Sequence, residues 1–367
     1  YLQLAADAAS TFISESGYSL YKEGTEPYRD LFCSDDAKQE EVILARIYNF
    51  EGLNLSHNVQ FNIRNSAAGF TRRFMNHYLM ADGSRFTEKE GHETMSYTEE
   101  TGRDPRMAQT VLCPGYIAKG EESVTANDMT AMTGYEPIKF VSTAAHSGAS
   151  KGTSDWPLFR TAEVYLNYAE AKAELGTLTK DALLISTDRI RDRAGMKGLD
   201  MAAANANPDP FLLACYPNVT KSENTGVILE IRRERTIELV MEGLRMWDMF
   251  RWKEGAQLVN ETNPYYGIYF SGPGLYDMDG DGRNDLELYV DKQTSSPADG
   301  LTVLRIGSDI ILSDMAENRG YVVAWSTLKY TWNEERDYLW PIPADQRVLT
   351  GGLLTQNPGW TDSTDFD

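Results

Sequence analysis

Cysteine and histidine are both scarce in this chain of 367 residues, which contains three cysteines and four histidines. The three cysteines have neither a metal-type spacing nor the pattern of a disulfide framework, since they lie far apart at Cys33, Cys113 and Cys215. The histidines are equally scattered, and none forms a metal-ligand pair with another: His57, His77, His92 and His146. The sequence therefore gives no indication of a zinc-type centre, and it leaves the redox compartment open.

Basic residues and long apolar runs are also in short supply. The chain has 35 Lys and Arg against 55 Asp and Glu, a formal charge of −20. A surface of that sign disfavours nucleic acid and anionic membranes, and it suits a soluble protein that binds cations or neutral ligands. No apolar stretch approaches membrane-spanning length, and the first residues lack the basic and hydrophobic regions of a signal peptide. We therefore expect no nucleic-acid partner.

Motifs for catalysis are missing as well. There is no G-x-S-x-G elbow and no phosphate loop, because "GASKGTSD" at 148–155 lacks the required spacing. The segment "RRERTIELVMEGLRMWDMFRW" is rich in carboxylates, but every acid has a basic neighbour one helical turn away. Such neighbours lower carboxylate pKa values and favour ion pairing over general-acid catalysis. We predict a buried structural network that includes Glu234, Glu238 and Glu242, and no enzyme activity.

The chain contains one large domain of mainly α class, in three parts. An N-terminal part, 1–154, has an amphipathic helix at 2–16, a strand at 41–50 and then loops. The middle part, 155–254, has a helix from Pro157 to Gly176, a second at 180–194 and a longer one at 227–253. The first two form a tetratricopeptide-like helix pair. The last part, 255–367, is a large irregular, loop-rich region with short strands.

The segment "YDMDGDGRND" at 276–285 has the ligand spacing of an EF-hand-like calcium loop. The candidate ligands take positions 1, 3, 5, 7 (through the carbonyl) and 9 of such a loop: Asp277, Asp279, Asp281, Arg283 and Asp285. Leu288 takes position 12, where an EF-hand has a bidentate Glu, and no helical pattern leads into the loop. We expect a calcium-stabilised structural loop of weak affinity; the alternative is an Asp/Gly-rich turn between two surface strands.

Aromatic residues are abundant, and two loop segments combine them with hydrogen-bonding side chains. A neutral sugar needs exposed flat rings flanked by amides, carboxylates or arginines. "NLSHNVQFNIRN" at 54–65 and "NPYYGIYF" at 263–270 have that composition. The candidate ligand contacts are Asn54, His57, Asn58, Phe61, Tyr265, Tyr266 and Tyr269. The alternative for both segments is ordinary loop packing.

Several motifs together resemble the SusD/RagB family. They are "YLMADG", "GRDPRM", "FRTAEVYLNYAEAKAELG", "RIRDRAG", "ERTIELVMEGLRMWDMFRW" and "YLWPIPADQ…LTQNPGW", in that order. The resemblance implies a SusD-like fold in which tetratricopeptide-like pairs support an irregular ligand-binding face. It also implies a lipid-anchored protein on the outer face of the outer membrane. Such a protein captures a glycan, or less commonly a peptide, for a SusC-like TonB-dependent transporter.

The beginning of the chain departs from that family, because the anchoring cysteine, the leader and the first helical pairs do not precede residue 1. We expect a fragment, or a second chain that supplies the missing helices. Two other functions stay open at this point. The acidic helix and the aromatic content would suit a secreted glycan-degrading enzyme, and the helix pair would suit a protein-interaction scaffold.

Overall fold

The computed structural model describes residues 1–96, 101–296 and 300–361. Its α-helices are α1 Leu2–Glu15, α2 Pro27–Cys33, α3 Phe50–Leu53, α4 Val59–Asn65, α5 Arg72–Met75, α6 Thr161–Glu174, α7 Lys180–Leu184, α8 Thr187–Arg193, α9 Met201–Ala206, α10 Pro210–Cys215, α11 Thr225–Glu238, α12 Arg245–Arg251 and α13 Ala344–Leu349. Its strands are β1 Val42–Arg46, β2 Trp156–Arg160, β3 Tyr266–Phe270, β4 Gly274–Tyr276, β5 Leu286–Tyr289, β6 Thr302–Arg305, β7 Leu312–Asp314 and β8 Arg319–Val323. Helix exceeds strand, as the sequence predicts.

One hydrophobic core lies among the helices. Helix α6 presents alanines such as Ala169 and Ala173, each no more than 1% exposed, to its neighbours. Small side chains let α1 and α11 approach α6 closely, and α11 is buried along its whole length. Trp252, at the end of α12, closes the same core. The tetratricopeptide-like pairing of these helices and the three-part division of the domain stay predictions.

The start of α6 differs from the sequence prediction. Pro157 does not begin a helix but lies in β2, which pairs antiparallel with β1. Helix α6 begins four residues later at Thr161, whose backbone N–H and hydroxyl both donate to the Glu41 carbonyl. This contact ties the strand-to-helix junction to the residue before β1. The pairing of β2 with a strand over 100 residues earlier overrides the local helix signal.

The second and third predicted helices are each interrupted. The second divides into α7 and α8 at Ser186, whose hydroxyl donates to the Ala182 carbonyl. The third ends at Glu238 and resumes at Arg245, because Met241 and Gly243 have φ values of 62° and 81° in the left-handed region. The Glu238 and Val240 carbonyls at that break accept hydrogen bonds from Tyr28, Arg160 and Lys139 instead of from the next helical turn.

The strands form three small sheets in the described residues. β1 pairs with β2; β3, β8 and β7 form a second sheet in that order; and β4, β5 and β6 form a third. In the third sheet β5 lies antiparallel to β4 and parallel to β6. A second core packs against the second and third of these sheets and includes Met75, Tyr78, Ile268, Phe270 and Leu286. The last part of the chain therefore has more regular strand structure than its loop-rich composition predicts.

Candidate functional site

The carboxylates of the acidic helical segment are buried and ion-paired. Glu238 is fully buried, and its carboxylate oxygens lie 2.5 Å from Arg193, 2.7 Å from Arg160 and 3.3 Å from Arg106. Burial alone would raise the pKa of Glu238, but the surrounding guanidiniums outweigh burial and hold that pKa far below its usual range. The predicted structural network is confirmed. A carboxyl group held ionised in this way is unsuited to general-acid catalysis.

The partners in this network differ from those that helical spacing predicts. Because the helix is interrupted between α11 and α12, Glu242 does not pair with Arg245, which a continuous helix would place one turn away. Its carboxylate instead accepts from Lys139 at 2.6 Å and from Arg160 at 2.7 Å. The acids are therefore neutralised by residues distant in sequence.

The aspartate loop is the turn of the β4–β5 hairpin. Carboxylate oxygens of Asp277, Asp279 and Asp285 lie within 4.8 Å of one another, and all three residues are half-buried. Asp281 and Arg283 are exposed and lie outside this group. The pKa of Asp285 is raised, first by burial and then by Asp279 and Asp277. The three clustered carboxylates repel one another, and a cation bound between them would relieve that repulsion.

The loop is also well anchored without an ion. Met278 is buried in the second core, and the Gly115 N–H donates to the Asp279 carbonyl at 3.0 Å. Both Asp277 carboxylate oxygens accept from the loop's own backbone, at Gly280 and Gly282. These contacts equally suit the Asp/Gly-rich turn that the sequence leaves as the alternative.

The segment 54–65 is not a loop throughout, because α4 occupies Val59–Asn65. Two of its candidate ligand-binding residues form hydrogen bonds within the protein. His57 Nε2 bonds the Ser154 carbonyl at 3.0 Å, and His57 Nδ1 accepts from the Val59 N–H. Asn58 Oδ1 accepts from the Ser150 N–H. Asn54 is exposed and Phe61 is half-buried. The hydrogen bonds of His57 and Asn58 hold the connector at 150–154 in place, which favours the packing interpretation.

The segment 263–270 contains strand β3 and separates its tyrosines onto two sides. Tyr265 points to the protein interior, where its hydroxyl donates to the Leu258 carbonyl at 2.7 Å. Tyr266 and Tyr269 lie on the opposite side with Tyr321 of β8. The three half-buried side chains Tyr266, Tyr269 and Tyr321 are called the tyrosine face below.

A bulge explains how two tyrosines three residues apart share one face. In a regular strand such residues would point in opposite directions. Here Tyr266 pairs with Val323 and Tyr269 with Tyr321, so β3 has one more residue than β8 between the two pairs. Gly267 permits the bulge, because a Cβ there would lie 2.0 Å from the Thr133 carbonyl oxygen. The close approach of that backbone therefore helps to set the orientation of the tyrosine face.

The tyrosine face offers rings in two orientations. Tyr266 and Tyr321 stack with centroids 5.2 Å apart, and Tyr269 meets Tyr321 edge-on at 5.5 Å. The guanidinium of Arg72, from α5, lies 4.9 Å from the Tyr321 centroid. The Tyr321 hydroxyl donates to the Glu93 carbonyl, which fixes its ring. Ordered tyrosine rings can contact the C–H faces of a sugar, whereas the Arg72 guanidinium is buried and donates to the Met95 and His92 carbonyls and to the Tyr135 hydroxyl.

The sequence interpretation selected Tyr266 and Tyr269 as candidates but neither Tyr321 nor Arg72, which the structure places beside them. The segment "RGYVV" alternates like a strand, which is the one local signal that Tyr321 could lie on a sheet face. Nothing local indicates that this strand pairs with β3.

None of the helices in the described part of the chain combines the length and the apolar character that a membrane span needs.

Comparisons with known proteins concern the family and the fold of the chain. The model of the SusD family matches residues 54–360. No curated protein matches the chain significantly in sequence. The chain is similar to a solved SusD-like protein of Bacteroides fragilis NCTC 9343, with 20% identity and a TM-score of 0.58, over 98% of this chain and 63% of that one.

A SusD-like carbohydrate-binding protein of the same organism gives a TM-score of 0.62 at 18% identity, over 95% of this chain and 60% of that one. A SusD homologue of Bacteroides thetaiotaomicron VPI-5482 gives 0.50 at 16%, over 98% and 59%. These likenesses show the fold. The chain spans about three fifths of the length of these solved proteins.

Proposed function

The chain belongs to the SusD family, and we propose that it captures a glycan at the cell surface without cleaving it and delivers it to a transporter. The observation that carries the capture step is the tyrosine face, where two strands and a bulge hold three rings beside a guanidinium. Stacking and hydroxyl contacts on a preformed surface give modest affinity and tolerate a polymer of repeating units. Such binding suits a receptor that must release its ligand.

Binding without turnover is supported by the state of the acidic residues. A glycosidase needs two carboxyl groups that flank the scissile bond, one of them protonated at working pH. The acids of α11 instead pair with arginines and are inaccessible. The one metal-type carboxylate cluster among the described residues, in the aspartate loop, is a hairpin turn. We infer a binding protein, with a glycan as ligand and a peptide as the less favoured alternative.

The location and the partner are proposed from family membership alone. A SusD-like receptor would be attached to the outer face of the outer membrane through a lipid and would work with a SusC-like TonB-dependent transporter. Pull-down of such a transporter by the full-length protein, from detergent-solubilised outer membranes, tests both parts. Recovery of the protein only in the periplasmic or cytoplasmic fraction would contradict the location.

Calcium is proposed as a structural ligand of the aspartate loop. Asp277, Asp279 and Asp285 would supply carboxylate oxygens, and water would complete the shell that Leu288 leaves open. The expected affinity is weak, roughly 10⁻⁴ to 10⁻³ M, as in extracellular modules. The ion would stabilise the hairpin by mass action and take no part in chemistry.

Affinity electrophoresis in gels that contain single polysaccharides tests capture and the tyrosine face together. We expect retardation by at least one glycan and a loss of most of it in Tyr321→Ala, because each lost ring contact costs about 1 kcal/mol. Tyr18→Ala is the matched control, since Tyr18 is also half-buried and stacked, but on Phe12 of α1.

Two results would contradict the proposal. Sustained release of reducing ends by the purified protein, abolished by a single Glu or Asp substitution, would make it an enzyme. Retardation that Tyr321→Ala leaves intact would place the ligand elsewhere on the molecule.

A further inference from the structure

A cavity of about 310 Å³ lies between several helices and the segment that leads into β3. Helix α5 and the segment 255–258 line it together with α11, α12 and the end of α10. Tyr265 reaches into it from the residue before β3. Its volume falls at the lower end of the range for small-molecule pockets, and so it suits one sugar unit.

Two arginines face this cavity, one from each side. Arg73 of α5 uses Nη2 to bond the Gln257 side chain at 2.7 Å and the Ala214 carbonyl at 3.1 Å, and Nε to contact Cys215. Arg245 of α12 uses Nη1 to bond the Thr236 and Tyr216 hydroxyls at 3.0 and 3.2 Å. Each guanidinium is thereby held in position by neutral acceptors.

Neither guanidinium forms an ion pair with a carboxylate among the described residues, whereas most of the buried arginines of this protein do. The contrast matters in a chain with 20 more acidic than basic residues. Arg73 Nη1 and Arg245 Nη2 also have no hydrogen-bond partner in that part of the chain, and neither atom is shut off from solvent. The cavity therefore contains two positive charges and free donors.

His77 lies between the two arginines and adds no negative charge. Its Nδ1 bonds the Arg73 carbonyl at 2.9 Å and its Nε2 bonds the Tyr216 hydroxyl at 3.2 Å. Burial, then Arg245 and Arg233, hold the pKa of His77 well below its usual value, so the ring is neutral. The His77 ring thus connects the Arg73 backbone to the Tyr216 hydroxyl, which in turn accepts from Arg245.

The rest of the lining suits the body of a sugar. Phe70 and Phe74 stack with centroids 4.6 Å apart and, with Tyr265, provide flat apolar surface. Gln257 and Asn263 provide amides at the other side. Rings for C–H faces and amides for hydroxyls are the contacts that a pyranose needs.

On the basis of the proposed glycan capture, we propose that this cavity binds a uronate unit, with the sugar carboxylate between Arg73 and Arg245. Arg73 Nη1 and Arg245 Nη2 would each donate a hydrogen bond to the carboxylate, and such charge-assisted bonds are stronger than those to neutral groups. A carboxylate is also smaller than a sulfate ester, which matters in a cavity of this size. The ligand would then be an acidic glycan, although the overall charge of the chain indicates a neutral one.

The test compares acidic sugars with their neutral counterparts by isothermal titration calorimetry. The probes are trigalacturonate, its methyl ester and a glucuronate oligosaccharide. A neutral glycan that retards the protein in affinity gels is the control for binding without a carboxylate. We expect at least one acidic probe to bind about tenfold or more tightly than the methyl ester, since charge-assisted hydrogen bonds exceed neutral ones by that order. Added salt should reduce the difference.

Three variants separate the role of charge from folding. Arg73→Gln should abolish the preference for the acidic probes, whereas Arg46→Gln, at an exposed arginine of β1, should retain it. Gln257→Glu keeps the side-chain shape and places a carboxylate beside Arg73, so it should also abolish the preference. Melting temperatures close to that of the wild type exclude unfolding as the cause.

The outcomes distinguish this inference from the proposed function. Binding of neutral glycan without any preference for the acidic probes overturns the uronate site and leaves glycan capture intact. A preference that persists in Gln257→Glu and Arg73→Gln, or a stronger preference for a sulfated sugar, also overturns it. Failure of every carbohydrate to bind overturns both.

Discussion

Replacement of Glu238 by Gln should destabilise the protein strongly without affecting ligand binding. The substitution preserves the shape of the side chain and removes the charge that three buried guanidiniums share. Loss of one partner from a buried ion pair costs about 3–5 kcal/mol, because the remaining charges stay desolvated. Each of these arginines keeps a second carboxylate, for example Glu41 beside Arg160 and Arg193. We therefore expect the lower end, about 3 kcal/mol.

Urea denaturation followed by circular dichroism measures this loss as a shift of the midpoint. Glu121→Gln is the matched control, because Glu121 is exposed and makes no ion pair among the described residues; its midpoint should stay close to that of the wild type. Glycan binding below the transition should be the same in all three proteins. The substitution should lower the free energy of unfolding in water and leave its slope against urea concentration unchanged.

The dependence of this loss on pH follows from the low pKa of Glu238 in the folded state. A carboxyl group with a depressed folded pKa contributes stability above its unfolded pKa of about 4.3, and loses it as the pH falls towards the folded value. The difference between wild type and Glu238→Gln should thus be constant from about pH 5 to 8 and shrink below about pH 4. An unchanged midpoint at pH 7 with lost ligand binding would refute the structural assignment of the network.

Three further predictions concern other parts of the molecule. Calcium should raise the melting temperature of the wild type but not of Asp277→Asn, and equal melting in calcium and in chelator would leave the loop an ordinary turn. Glu254→Gln should stabilise the protein at pH 8 and not at pH 5. Burial is the main cause that raises the pKa of Glu254 to about 7, so the folded wild-type protein loses stability as the pH rises to that value. Gly267→Ala should cost about 1–3 kcal/mol in urea, since its Cβ would meet the Thr133 carbonyl, and a neutral result would show that the bulge can shift.

Local patterns predicted the structure where local forces decide it. Helix α1 and the Asp/Gly-rich turn between β4 and β5 both lie where local patterns predict them, whereas calcium in that turn stays a proposal. Pro157 shows the opposite case, since its helix-start signal gives way to pairing of β2 with β1. Tyr321 belongs to the same class, because only the long-range pairing of β8 with β3 brings it to Tyr266. Sequence patterns fix which face of a strand is polar, but they do not fix which strand lies beside it.

The cavity arginines reveal a deeper reason why charge patterns in sequence can mislead. On a continuous helix Arg245 would lie one turn from Glu242, and the two would neutralise each other. The left-handed residues at 241 and 243 separate them, so that Glu242 turns to Lys139 and Arg160. Arg245 is then left with hydroxyl partners and faces a cavity. The interruption of the helix at these two residues thus leaves Glu242 as a buried structural acid and Arg245 without a carboxylate partner among the described residues. Under the uronate proposal, Arg245 is the residue of the two that would contact the ligand.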